Sequence, residues 1–255
     1  MELLQGLTGA SLSHLILVGV VGFITSFLGG VTGYGNSALL PLVLIPVTGP
    51  EPIVPIIAIV GMFNNITRIV AFRRYIDLSR VWLILIASVP MCALGAYTYT
   101  KLTGPTILTL IGTMLILSVP LRRILKNRQI ALETRGLAIG SGIFGFLSGT
   151  TAGAGVILMS LLMAVNISGA AVIATDAVIS TVIGVTRIGV YWGSGALTPQ
   201  VVTFGALIGL ISLPGAFVAR AFVERLPLHV HTAILDGIVI LGGLVMIVQA
   251  IRQFW

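Results

Sequence analysis

The chain has 255 residues, 57% of them hydrophobic and 8% charged, with 31 glycines and a formal net charge of +7. A soluble domain carries roughly 25% charged residues, and a mean hydropathy of +1.13 excludes one, so this is an integral membrane protein. Its surplus Lys and Arg lie in short loops between apolar spans, where the positive-inside rule puts them, and give no nucleic-acid signal.

Taken in chain order, apolar stretches run at about 14–30, 36–48, 52–72, 81–100, 105–121, 137–152, 155–166, 169–192, 198–222 and 231–251. Several reach the ~20 residues that cross a bilayer as a helix, so the fold class expected is all-α and polytopic. Residues 1–13 carry Glu2 and no Lys or Arg. A cleaved signal peptide needs a basic start, so the first stretch is expected to stay in the membrane. The second and seventh stretches are too short for an upright span and read as returning arms of hairpins with tips at Gly33–Asn36 and Thr150–Gly155. The most charged segment, 122–136 (RRILKNRQIALETRG), is expected to be a cytoplasmic linker between two membrane repeats, 1–121 and 137–255.

A duplication is written in the glycines. Residues 22–35 (GFITSFLGGVTGYG) and 142–155 (GIFGFLSGTTAGAG) align at an offset of 120, matching Gly22, Gly29, Gly33 and Gly35 to Gly142, Gly149, Gly153 and Gly155. Thr67-Arg68-Ile69 recurs as Thr186-Arg187-Ile188, and Ser88-Val89-Pro90 as Ser212-Leu213-Pro214. Several matches in one order argue for a single unit used twice. A hydrophobic helix broken at the same place in both halves suggests a transporter, because free backbone groups inside a bilayer must line a site or be buried in protein.

Orientation has two solutions. If each broken segment goes in and comes back, the halves are inverted, loops 73–80, 122–135 and 220–225 share the cytoplasm, and both termini lie outside. If each crosses once, the halves are parallel. Lys101, Arg187 and Arg252 lie outside in the first case, Lys101, Arg220 and Arg225 in the second, so charge does not decide. Pro41 and the short second arms suit a hairpin, and inverted repeats supply alternating access directly, which favours inversion.

The tip residues Gly33-Tyr34-Gly35, followed by Leu39-Leu40-Pro41, the second copy at Gly149–Gly155, and the loop Arg73-Arg74-Tyr75-Ile76-Asp77 together resemble the TauE/SafE family of membrane permeases. The resemblance covers nearly the whole chain. It implies a bacterial inner-membrane permease for sulfite, sulfonates or related small sulfur-containing anions. The family's consecutive glycines are replaced here by Gly33-Tyr34-Gly35-Asn36 and Gly153-Ala154-Gly155-Val156, and the second copy has Leu161 in place of the proline. Arg68 and Arg187 stand outside the family pattern.

Several polar residues could carry function. A helix start offers unpaired N–H groups and partial positive charge, which favour an anion. Glycines at Gly33, Gly35, Gly153 and Gly155 let backbone approach a solute. Thr32, Tyr34, Asn36, Ser148, Thr150 and Thr151 add hydroxyl and amide groups, although glycines can also serve tight packing, and hydroxyls can bond their own backbone. Arg68 and Arg187 lie at equivalent places in long spans. An intramembrane arginine must be paired or face water or a ligand, and its fork matches an oxyanion; snorkelling to the headgroups is the other reading. Asn65 is a candidate site-liner on the helix of Arg68, as is its neighbour Asn64, and both could instead bond between helices.

Asp176 is the acid well inside a span. It is a candidate proton carrier, or a charge that offsets an arginine from the other repeat, and its counterpart in the first half is Ile57. Asp236 reads as interfacial. Cys92, the lone cysteine, reads as a small packed residue, and His229 and His231 lack a third ligand, so no metal site is expected. There is no Walker loop and no Ser–His–Asp set, so neither an ATP-driven pump nor an enzyme is supported, and no cofactor is expected. The function expected is a secondary transporter working by alternating access; an anion channel and a non-transporting scaffold subunit are the alternatives. The partners expected are a small anionic solute and membrane lipids, with a homodimer left open.

Overall fold

The computed structural model describes residues 19–20, 22–23, 35–127, 134–165, 167, 169–223 and 228–254. The described residues form helices joined by short turns: α1 (Gly35–Thr48), α2 (Ile53–Phe72), α3 (Leu78–Tyr99), α4 (Gly104–Asn127), α5 (Thr134–Thr150), α6 (Gly155–Ala164), α7 (Ala170–Gly193), α8 (Pro199–Val223) and α9 (Leu228–Phe254). Among the described residues, four stretches are long and apolar enough to span a membrane: Ile53–Tyr75, Leu78–Tyr99, Gly104–Leu121 and Ala170–Gly193. Large apolar side chains such as Ile86 and Trp192, each 74% exposed, point outward. That is costly in water and favourable in lipid.

Local chemistry sets the helix ends. Asp77 caps α3, its carboxylate accepting from the Arg80 N–H at 3.1 Å. At the end of α7, the Ala196 N–H reaches back to the Tyr191 carbonyl at 2.9 Å, a turn made possible by Gly195. The polar stretch after residue 121 does not stop α4, which continues to Asn127. Hydropathy marks where lipid ends, and a helix can run on into water.

The closest packing is between α3 and α5. A β-carbon on Gly145 would lie 2.2 Å from the Ser88 carbonyl oxygen, and one on Gly149 would lie 2.4 Å from that of Cys92. Gly95 returns the contact, 2.3 Å from the Phe146 carbonyl. Two ribbons of small residues therefore bring the backbones together, as helix pairs in lipid require.

Laid over each other by the sequence offset, α1 to α4 correspond to α6 to α9, and the packing partners exchange accordingly. α2 packs on α8 as α7 packs on α3; α1 packs on α2 as α6 packs on α7; α4 packs on α6 as α9 packs on α1. Residues 19 and 22 face Ile211 and Ile208 of α8, as α5 faces α3. The self-corresponding pairs, α2 with α7 and α4 with α9, run antiparallel. Along the first, Val54 meets Arg187, Met62 meets Gly184, and Arg68 meets Asp176. Along the second, Gly112 meets Ile247 and Ile116 meets Gly243.

Candidate functional site: a broken helix held by arginine

The second glycine segment is a helix, a four-residue break and a second helix. Gly153 makes the break possible with φ +89, a region where other residues are strained. α6 then folds back along α5, so that a β-carbon on Gly140 would meet Leu161 Cδ2. The tip is inside the protein: Thr150, Thr151, Ala152 and Ala154 are all buried, and Gly153 faces Met114 and Leu115 at the middle of α4.

Breaking a helix frees carbonyls on one side and N–H groups on the other. The carbonyl side is filled from α7. Arg187 Nη1 donates to the Ser148 carbonyl at 2.9 Å, and Tyr191 Oη donates to the Gly149 carbonyl at 2.8 Å. These two donors sit one helical turn apart on one face of α7. The N–H side is unfilled among the described residues. No side chain caps α6, and among the described residues only the N–H of Ile157 in its first turn is paired, to the Ala154 carbonyl at 2.9 Å.

The tip hydroxyls look inward to their own backbone. Thr150 Oγ1 donates to the Phe146 carbonyl at 3.1 Å, and Thr151 Oγ1 to that of Ala152 at 3.4 Å. Of the first tip, Gly35 and Asn36 open α1. Thr32, Gly33, Tyr34 and the side chain of Asn36 lie outside the described residues.

The two arginines are not neighbours. Arg68 lies at the end of the α2–α7 pair near the basic loop, Arg187 at the other end. Asp176 and Arg187 stand on one face of α7, yet eleven positions separate them, about 17 Å along the axis at ~1.5 Å per residue. Arg68 Nη2 forms an ion pair with Asp176 Oδ2 at 2.7 Å, donates to the Ile173 carbonyl at 3.4 Å, and its Nη1 reaches Asn65 Oδ1 at 3.4 Å. Asp176 also bonds Ser180. Asp176 of α7 thus offsets Arg68 of α2. Asn65 and Arg68 belong to this cluster, whereas Ser148, Thr150, Thr151, Gly153, Gly155 and Arg187 gather at the break. Asn64 accepts from Ser212 at 3.1 Å, an interhelical bond.

Arg187 has a different set of partners. Its Nη2 donates to the Val54 carbonyl at 3.5 Å, its Nε is buried and meets no acceptor, and no described carboxylate lies within ion-pair distance. Two neighbours of this cluster carried no sequence signal of their own. Tyr191 holds the break, and Tyr99, packed 5.8 Å from the Tyr191 ring, accepts and donates around the start of α2. The spacing of Tyr191 four residues after an intramembrane arginine was the available clue.

A family model described as "Sulfite exporter TauE/SafE" matches residues 18–246. No curated protein and no solved structure matches the chain. With a family match over nearly its whole length and apolar helices long enough to span a membrane, this chain belongs to the sulfite exporter TauE/SafE family of membrane transporters.

Proposed function

We propose that the chain is a secondary permease of the bacterial inner membrane that carries a small sulfur-containing anion, such as sulfite or an organosulfonate, by alternating access. The observation that carries this reading is the break between α5 and α6. Its carbonyl end is already occupied by Arg187 and Tyr191, while its N–H end, buried at mid-helix depth of α4, is unfilled among the described residues. N–H groups at a helix start, with glycine backbone at Gly153 and Gly155, suit an oxyanion. In this reading the break receives a solute that surrounding lipid otherwise excludes.

The same reading takes the two halves as inverted repeats. Its support is the exchange of packing partners together with the antiparallel run of α2 against α7 and α4 against α9. Two equivalent helices that run antiparallel are related by an axis across them, and for membrane spans that axis lies in the bilayer plane. Asp176 is the proposed entry point of a coupling proton, since protonating it would release Arg68 and loosen one end of the α2–α7 pair. The test is uptake of labelled sulfite, sulfate and a short sulfonate by purified protein in liposomes, with and without a pH gradient. Saturable sulfite flux that responds to the gradient supports the reading. Absence of flux, or flux that never saturates, removes the permease.

A further inference from the structure

The two arginines occupy equivalent positions, and one contact of each is matched in the other. Arg68 donates to the Ile173 carbonyl and Arg187 to the Val54 carbonyl, and positions 173 and 54 are themselves equivalent at the offset of 119. The position three residues further along the partner helix differs between the two halves. Opposite Arg68 it is Asp176, at 2.7 Å. The equivalent position in the first half, three residues after Val54, is Ile57, a buried aliphatic residue. One cluster is therefore neutral, and the other carries a full positive charge met, among the described residues, by carbonyl dipoles, with a buried Nε left over.

Resting on the permease reading, we infer that this difference in charge divides the labour between the arginines. Position 57, being isoleucine, leaves Arg187 uncompensated so that the transported anion supplies its counter-charge. Position 176, being aspartate, makes Arg68 a structural clamp between α2 and α7. A charge inside a bilayer is expensive unless paired, so an unpaired arginine beside a broken helix is a place that an anion neutralises on arrival. A monoanion such as bisulfite or a sulfonate brings this cluster to the neutrality that Asp176 gives the other.

The test installs the missing carboxylate. Ile57→Asp gives Arg187 the partner that Arg68 has, and Ile57→Asn is the uncharged control of the same shape. Full-length protein in liposomes is assayed for labelled sulfite flux, with thermal unfolding in detergent measured alongside. The expected result is that Ile57→Asp loses flux or apparent affinity by about ten- to a hundredfold, the worth of one charge-assisted hydrogen bond. Ile57→Asn keeps flux at least about tenfold above Ile57→Asp, and both variants melt below the parent by a similar margin, since each puts a polar group in place of a buried isoleucine. Equal flux in Ile57→Asp and Ile57→Asn overturns the inference while leaving the permease reading in place. Absence of sulfite flux in the parent chain overturns the permease reading first. Should Ile57→Asp not yield folded protein, Arg187→Gln and Arg187→Lys decide. Loss in the first with partial rescue in the second supports the inference, and unchanged affinity in Arg187→Gln ends it.

Discussion

The Arg68–Asp176 pair makes a quantitative prediction for Asp176→Asn, which keeps the shape and removes the charge. At 2.7 Å and an effective dielectric of ~20, the gross attraction is about 6 kcal/mol, and desolvation of both groups offsets most of it. The side chains are 14% and 4% exposed, so screening by water is slight. Removing one partner of a buried pair costs about 3–5 kcal/mol because the other is stranded. Arg68 keeps its bonds to Ile173 and Asn65, both at 3.4 Å, which places the loss near the low end, about 3 kcal/mol. By the scaling of soluble domains this lowers the unfolding midpoint by roughly 6–12 °C. The assay is thermal unfolding in detergent, followed by helical circular dichroism. The double variant Arg68→Met with Asp176→Leu strands no charge and is expected to recover to within about 1 kcal/mol of the parent. A midpoint for Asp176→Asn indistinguishable from the parent would show that the pair does not hold α2 against α7, and the clamp assigned to Arg68 would fall.

Three further outcomes are expected. Gly149→Ala sets a β-carbon 2.4 Å from the Cys92 carbonyl oxygen and must push α3 and α5 apart, costing about 1–3 kcal/mol in the same melt. Gly142→Ala in the same helix, with Met91 Cγ 3.6 Å away, is expected to be neutral or slightly stabilising. Tyr191→Phe removes the donor to the buried Gly149 carbonyl and is expected to cost about 1–3 kcal/mol and to lower flux, read from melting and liposome uptake respectively. Single cysteines at 74 and 101 in a Cys92→Ala background should react with an impermeant thiol reagent from opposite faces of the membrane, with 194 labelled from the same face as 101. Labelling of 74 and 101 from one face would contradict α3 as a span.

The helices were legible because lipid imposes a simple rule, that apolar runs of sufficient length become spans. The expected stretch 52–72 is α2, Ile53–Phe72, and 155–166 is α6, Gly155–Ala164. The break was legible for a related reason: glycines repeated at Gly149, Gly153 and Gly155 mark where a helix in lipid can be interrupted, and it falls between Thr150 and Gly155. The partners of the polar groups were not legible. Asp176 and Arg187 share a face of α7 about 17 Å apart along its axis, but which group each meets is set by the antiparallel run of α2, which gives Asp176 to Arg68 and the Val54 carbonyl to Arg187. The use of Tyr191 was equally hidden, because its acceptor is a carbonyl freed by a break 42 positions earlier in the chain.

Binding of sulfite to purified protein tests the central claim most directly, measured by titration calorimetry on the parent and on Arg187→Gln in parallel. One saturable site per chain in the parent, lost or weakened at least about tenfold in Arg187→Gln, is the expected result. Equal binding in both proteins would contradict the placing of the anion beside Arg187 at the break.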